Sequence, residues 1–169
     1  MSHAKPEPVQ VVKQRRDAML KSLVDHIPYV KFLGISFDRR GDELTAFLPF
    51  RDDLIGNPML PALHGGVTAG LLEITAIVGL AWSSQWNDME RQDQAKSLAD
   101  SSPFPRMPKT IDFTIDYLRS GLPRDAYARA MVTRSGRRYA SVRAEAWQDN
   151  RARPFAQAHG HFLMPQSDD

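Results

Sequence analysis

The sequence predicts an α+β fold, an antiparallel sheet of about six strands wrapped around one long central apolar helix, with a further helix at the N-terminus. Three observations predict it. Val67–Trp82 is apolar at nearly every position, with Glu73 as its only charged side chain. From Lys109 onward the apolar residues recur with period two, the spacing of half-buried strands. Residues 8–25 mix charged side chains with Val11, Val12, Met19, Leu20, Leu23 and Val24 at helical spacing.

Taken in order, residues 1–26 form a tail and an amphipathic helix, which Pro28 stops. Ile27-Pro28-Tyr29 then leads through Phe32-Leu33 to Gly34. Ile35–Arg39 and Glu43–Leu48 read as two strands joined at a Gly41-Asp42 hairpin turn. Arg51–Leu63, with Gly56, Asn57, Pro58 and Pro61, is a loop that delivers the chain to His64. The central helix follows, apolar on so many faces that one sheet alone would not cover it, so a partner subunit is expected to help. Ser83–Met107 is polar and aperiodic, an insertion with helical potential around Asp88–Ala99, of the kind that often forms lids or binding loops.

Four strands close the chain. Ile111, Phe113, Ile115 and Tyr117 alternate with Asp112, Thr114, Asp116 and Leu118. Tyr127–Arg134 alternates likewise, and Ser135-Gly136 turns it into Tyr139–Gln148. Asp149-Asn150 turns again into Pro154–Leu163, so these strands form an antiparallel meander with the strand before them. Residues 27–165 are expected to be one domain, interrupted at about 83–107.

Composition narrows the function. With 22 Lys and Arg against 20 Asp and Glu, the net charge is +2, and nothing demands a nucleic-acid or membrane partner. The chain has no cysteine, which removes disulfides, thiolate metal sites and cysteine nucleophiles, and fits a reducing compartment. Met1–Gln10 lacks the apolar core of a signal peptide, so a cytoplasmic location is expected. His159 and His161 lie two apart on one strand face, but without a third ligand they suggest no zinc site.

The chemistry concentrates in His64-Gly65-Gly66-Val67-Thr68-Ala69-Gly70-Leu71-Leu72-Glu73. A glycine pair at a helix start leaves open N–H groups where the helix dipole favours developing negative charge. A lone carboxylate about two turns later is costly in an apolar helix unless something pairs or uses it. An oxyanion-binding helix start and a carboxylate on the same helix suggest acyl transfer.

Several further stretches accompany this one. Tyr29-Val30-Lys31-Phe32-Leu33-Gly34-Ile35 precedes the first strand, and Asn57 precedes the helix. Asp112-Phe113-Thr114-Ile115-Asp116-Tyr117-Leu118-Arg119, Gly136-Arg137-Arg138 and Ala158-His159-Gly160-His161-Phe162 follow it. In this order, and with the acidic residue eight positions after Gly65, the chain resembles the hotdog-fold acyl-CoA thioesterase superfamily, most closely its phenylacetate-degradation (PaaI-type) branch. The resemblance covers roughly residues 27–163.

The resemblance implies a sheet wrapped around the helix and a homodimer or homotetramer with active sites at the subunit interface. It also implies hydrolysis of an acyl-CoA thioester with no metal or organic cofactor. Gly65 N–H would polarise the thioester carbonyl, and Glu73 from the partner subunit would be general base or nucleophile. His64 and Asn57 would shape the site, and Gly66 and Thr68 would line the substrate.

Other roles compete at each position. His64 can cap the helix, Asn57 can serve a turn, and Glu73 can be a structural carboxylate. Arg137 and Arg138 can meet coenzyme A phosphates or be solvated beside their turn. Two functions of other kinds also stay open: an enoyl-thioester hydratase or dehydratase, and a non-catalytic acyl-CoA-binding protein.

Overall fold

A computed structural model describes residues 7–91 and 106–165. Helices α1 (Val9–Asp25) and α2 (Pro28–Leu33) precede strands β1 (Ser36–Arg40) and β2 (Glu43–Leu48). A 3-10 turn at Asp52–Leu54 leads toward α3 (Gly65–Arg91). Strands β3 (Lys109–Tyr117), β4 (Ala126–Ser135), β5 (Tyr139–Trp147) and β6 (Ala156–Leu163) complete the chain.

Two elements differ from the sequence reading. Pro28 stops α1 but also starts α2, because proline at the first helical position forfeits an N–H that would be unpaired anyway. Gly34 ends that short helix at φ 75°, and the Arg51 guanidinium donates to the carbonyls of Leu33 (2.9 Å) and Phe32 (3.0 Å). The central helix also runs past Trp82 to Arg91, so the first part of the expected insertion is helix. Residues 92–105 of that insertion, and residues 1–6 of the tail, lie outside the described residues.

All six strands form one antiparallel sheet in the order β1-β2-β4-β5-β6-β3. The meander runs through β4, β5 and β6, but β3 pairs with β6 at the sheet edge and not with β4. The link from β3 to β4 is too long for a tight hairpin, so nothing holds those strands side by side. Instead the N–H groups of Leu118 and Arg119 both donate to the carbonyl of Phe155, fastening the exit of β3 to the entry of β6.

The sheet curls around α3, the hotdog arrangement. Its inner face is a field of small residues: Ala46, Ala126, Ala128, Ala144, Ala146, Ala156 and Ala158 are all completely buried. Short side chains there let a helix carrying Leu71, Leu72, Ile74, Val78 and Trp82 settle close to the strands at core density. At Gly79 the approach is tighter still, since a Cβ would lie 3.3 Å from the Cβ of Ala130.

Part of the helix surface left by the sheet is covered within the chain. Leu20 and Leu23 of α1 are buried in the same core. The Arg16 guanidinium lies 3.8 Å from the centroid of a Trp86 ring, which stacks on Trp82. The face carrying Gly66, Ala69, Glu73 and Ile77 stays partly open.

Candidate active site

The start of α3 is built by the loop before it. Gly56 N–H donates to the Ala62 carbonyl, and Ile55 and Leu63 form an isolated bridge that closes the loop. His64 N–H donates to Leu54 (2.8 Å) and Leu63 N–H to Gly121 (2.8 Å), fixing the direction in which the helix begins. Gly56 packs so tightly on His64 that a Cβ there would meet its ring at 2.9 Å.

His64 caps the helix. Its Nδ1 accepts from Gly66 N–H at 2.8 Å, which leaves the ring neutral with its proton on Nε2. The His64 carbonyl accepts from Val67 (3.0 Å) and Thr68 (3.1 Å). Gly65 N–H is then the first-turn donor with no acceptor among the described residues. It sits at the positive end of the helix dipole, and neither Gly65 nor Gly66 carries a side chain that would crowd it. Tyr117, from the end of β3, donates its hydroxyl to the Gly65 carbonyl at 2.9 Å and so holds that residue in place.

Glu73 is half-buried on the partly open face of α3. Its Oε1 accepts from the Thr110 hydroxyl at 2.7 Å. A register shift between Thr110 and Asp112 in the pairing of β3 with β6 turns Thr110 toward the helix. Among the described residues the carboxylate has a single neutral donor, and it keeps lone pairs available for a proton.

The remaining candidates are less central. Asn57 is exposed, and its Oδ1 accepts from Met59 N–H at 3.0 Å in a turn of its own backbone. Thr68 is only 2% exposed, so its side chain faces the core and does not line the open helix start. The reason is helical phase: Thr68 shares the buried face with Leu71, Leu72 and Thr75. Gly66 is exposed, but its N–H is engaged by His64.

Arg137 and Arg138 are exposed in the β4–β5 turn, at the far end of the sheet from Gly65. Arg138 accepts from Met164 N–H through its carbonyl, near the cluster of Ala140, Phe162 and Leu80. Within one chain the fold does not bring them to the helix start. Sequence reading gave no role to Thr110 or Tyr117. Tyr117 was visible as an apolar position of an alternating strand, whereas the bulge that turns Thr110 toward the helix leaves no mark in the sequence.

Gly65 and Glu73 are eight residues apart, roughly 12 Å along the helix axis. One carbonyl cannot touch both groups of the same helix. Each is presented on open surface, and each could serve a reacting group completed by another chain.

Comparisons with known proteins identify the family. The model of the family described as the thioesterase superfamily matches residues 60–154, which include both Gly65 and Glu73. The chain is 30% identical over 125 residues to the medium/long-chain acyl-CoA thioesterase YigI of Escherichia coli, covering 72% of this chain and 76% of that protein. A crystal structure from Chromobacterium violaceum is similar at TM-score 0.61 and 33% identity, covering 95% of this chain and all of that one (100%). The Bacillus halodurans protein BH2602, solved with CoA, shares the fold at TM-score 0.61 and 22% identity over 99% of each chain.

Proposed function

The chain belongs to the thioesterase superfamily and is an acyl-CoA thioesterase, and we propose that Gly65 and Glu73 of two different subunits carry its chemistry. The observation behind this reading is the Gly65 N–H at the start of α3, unengaged among the described residues, with a hydroxyl-anchored carboxylate about 12 Å further on. A homodimer would bring Gly65 of one subunit opposite the partner subunit's Glu73. The nine-residue β3 supports such pairing, because it ends the sheet with an open row of backbone groups and exposes Ile111 and Tyr117. Two such dimers joining would give the homotetramer expected from the resemblance.

In the proposed reaction the thioester carbonyl accepts from Gly65 N–H. The partner's Glu73 takes a proton from water as the water oxygen attacks the carbonyl carbon. The negative charge of the tetrahedral intermediate rests on the oxygen facing Gly65 N–H. Collapse breaks the carbon–sulfur bond, and the departing coenzyme A thiolate recovers the proton from Glu73. Alternatively the carboxylate attacks directly, and water cleaves the resulting anhydride. Labelled oxygen entering Glu73 in a single turnover distinguishes the two routes. Neither needs a metal or organic cofactor. His64 holds the helix start, and Asn57 shapes the loop beside it.

The acyl group is proposed to be a medium or long chain. Tyr29 and Phe32 stack at 6.0 Å between ring centroids and are 48% and 69% exposed. Tyr29 lies directly over Gly70, where a Cβ would stand 3.1 Å from its hydroxyl. Gly70 follows Gly65, the first residue of α3, by five positions, so this apolar shelf begins about 7.5 Å from the helix start. A cytoplasmic location and the PaaI-type branch complete the proposal.

The test is thiol release from acyl-CoAs by wild type, Glu73→Gln, Gly65→Ala and Gly65→Pro. Proline at the first helical position keeps the helix but removes the N–H, while alanine keeps both. Activity retained in Gly65→Ala and reduced about 10²–10³-fold in Gly65→Pro supports the donor role. Equal activity in Gly65→Pro and wild type overturns it, and hydrolysis unaffected by Glu73→Gln overturns the role of the carboxylate.

A further inference from the structure

A groove of about 300 Å³ lies beside the start of α3, lined by Arg119, Ser120, Arg124, Asp149, Arg153 and Phe155 among others. The segment that carries Arg119 is fastened to the helix start on both sides. Tyr117 donates to the Gly65 carbonyl (2.9 Å), and the Gly121 carbonyl accepts from Leu63 N–H (2.8 Å). Its floor is rigid. Gln148 accepts from Leu122 N–H (2.8 Å) and donates to the carbonyls of Leu122 (2.8 Å) and Arg124 (3.1 Å). Phe155 is 3% exposed and packs on Gly121, where a Cβ would meet its ring at 3.0 Å.

The charges in this groove are unbalanced. Arg124 pairs with Asp149. Arg119 and Arg153 have no ion pair and no side-chain hydrogen bond among the described residues, and both are exposed. Two uncompensated guanidinium groups, Arg119 on the β3–β4 link and Arg153 on the β5–β6 turn, line one groove whose wall is tied to the helix start through Tyr117 and Gly121, and together they make an anion site. We propose that Arg119 and Arg153 bind the phosphate groups of the coenzyme A moiety, holding the nucleotide end of the substrate while its thioester lies at Gly65. This rests on the thioesterase reading above. It also moves the phosphate contacts away from Arg137 and Arg138, which the fold places at the opposite end of the sheet.

The experiment compares one acyl group carried on coenzyme A, on dephospho-coenzyme A and on pantetheine. Wild type is assayed beside Arg119→Ala/Arg153→Ala and Arg137→Ala/Arg138→Ala, with thermal unfolding of each checked. The expected result is that the Arg119/Arg153 double variant lowers the ratio of kcat/KM for acyl-CoA over acyl-pantetheine about tenfold or more. The fall should come through KM, and added salt should weaken wild-type preference for acyl-CoA. An unchanged ratio overturns the proposal, as does a ratio that falls only in the Arg137/Arg138 variant. If wild type hydrolyses none of the three, the thioesterase reading fails separately. Calorimetric binding of coenzyme A then decides the site: binding lost in the Arg119/Arg153 variant sustains it, and equal binding overturns it.

Discussion

The hydroxyl of Thr110 donates to Oε1 of Glu73 across 2.7 Å, joining the first residues of β3 to the open face of α3. A flexible glutamate on an apolar helix has several rotamers, and this bond selects one of them. Hydrogen bonds to a charged group contribute about 1.5–3 kcal/mol. Thr110→Val is therefore expected to lower kcat about tenfold, with Thr110→Ser restoring most of it because the hydroxyl returns. Glu73→Gln should cost about 10²–10⁴-fold in kcat. Steady-state kinetics on one acyl-CoA checks all three. A Thr110→Val enzyme with wild-type kcat would show that the bond does not position the carboxylate.

His64 contributes to stability through its ring nitrogen. Gly66 N–H is one of the donors every helix start must satisfy, and Nδ1 satisfies it at 2.8 Å. His64→Ala should destabilise the protein by about 0.5–2 kcal/mol, and His64→Asn should recover most of that because asparagine caps well. Urea unfolding at fixed protein concentration measures the difference. If alanine and asparagine variants unfold alike, the cap contributes nothing.

The helix start was legible in the sequence because its chemistry is local. A histidine, two glycines and a single acidic residue on an apolar run constrain one another within a few turns. The strands of the meander were legible for the same reason, since period two is read residue by residue. The position of β3 was not, because its pairing with β6 is decided by the long link to β4 and by Phe155, far away in the chain. Thr110 was hidden with it, since only that pairing and its bulge bring the hydroxyl to Glu73. The end of α3 was misread because beyond Trp82 the helix carries polar residues and loses its apolar continuity. Helix α2 was missed because proline both ends one helix and begins the next.

Gly160 marks the closest approach between β6 and β3. A Cβ there would lie 2.4 Å from Cδ2 of Phe113 and 3.0 Å from the ring of Phe162, which packs edge-on against Phe113. Phe113 is held between the sheet and the core, so it has little room to yield. Gly160→Ala should destabilise the fold by about 1–3 kcal/mol through overpacking. Thermal or urea unfolding of that variant should show the loss, and a double variant with Phe113→Leu should regain part of it. Wild-type stability in Gly160→Ala alone would mean that β3 sits further from β6 than the geometry gives.

The Tyr29–Phe32 shelf predicts a dependence on acyl length. A short acyl group at the helix start stops before Gly70, whereas a chain of several methylenes reaches the two rings. Each buried methylene contributes about 0.8 kcal/mol. Removing both rings, in Tyr29→Ala/Phe32→Ala, should lower the kcat/KM ratio of dodecanoyl-CoA to butanoyl-CoA about tenfold or more. A ratio unchanged by the substitution removes these rings from acyl recognition. An equal fall at every length, with a change of oligomeric state, assigns them to the subunit interface instead.

The roughly 12 Å between Gly65 and Glu73 along one helix makes the strongest prediction about assembly. If each site takes its N–H from one subunit and its carboxylate from the other, two different defects can be separated by mixing. Gly65→Pro removes the donor and Glu73→Gln removes the base, so either variant alone forms only dead sites. In a mixed dimer, one site receives both defects and the other receives neither. Unfolding the two inactive variants together and refolding them should therefore restore activity, approaching one quarter of wild type when half the dimers are mixed and each holds one intact site. Each variant refolded alone should remain inactive. Failure to recover activity, with mixed dimers demonstrated by differently tagged chains, would place both groups of a site in the same subunit, and the helix geometry leaves no way to do that with one carbonyl.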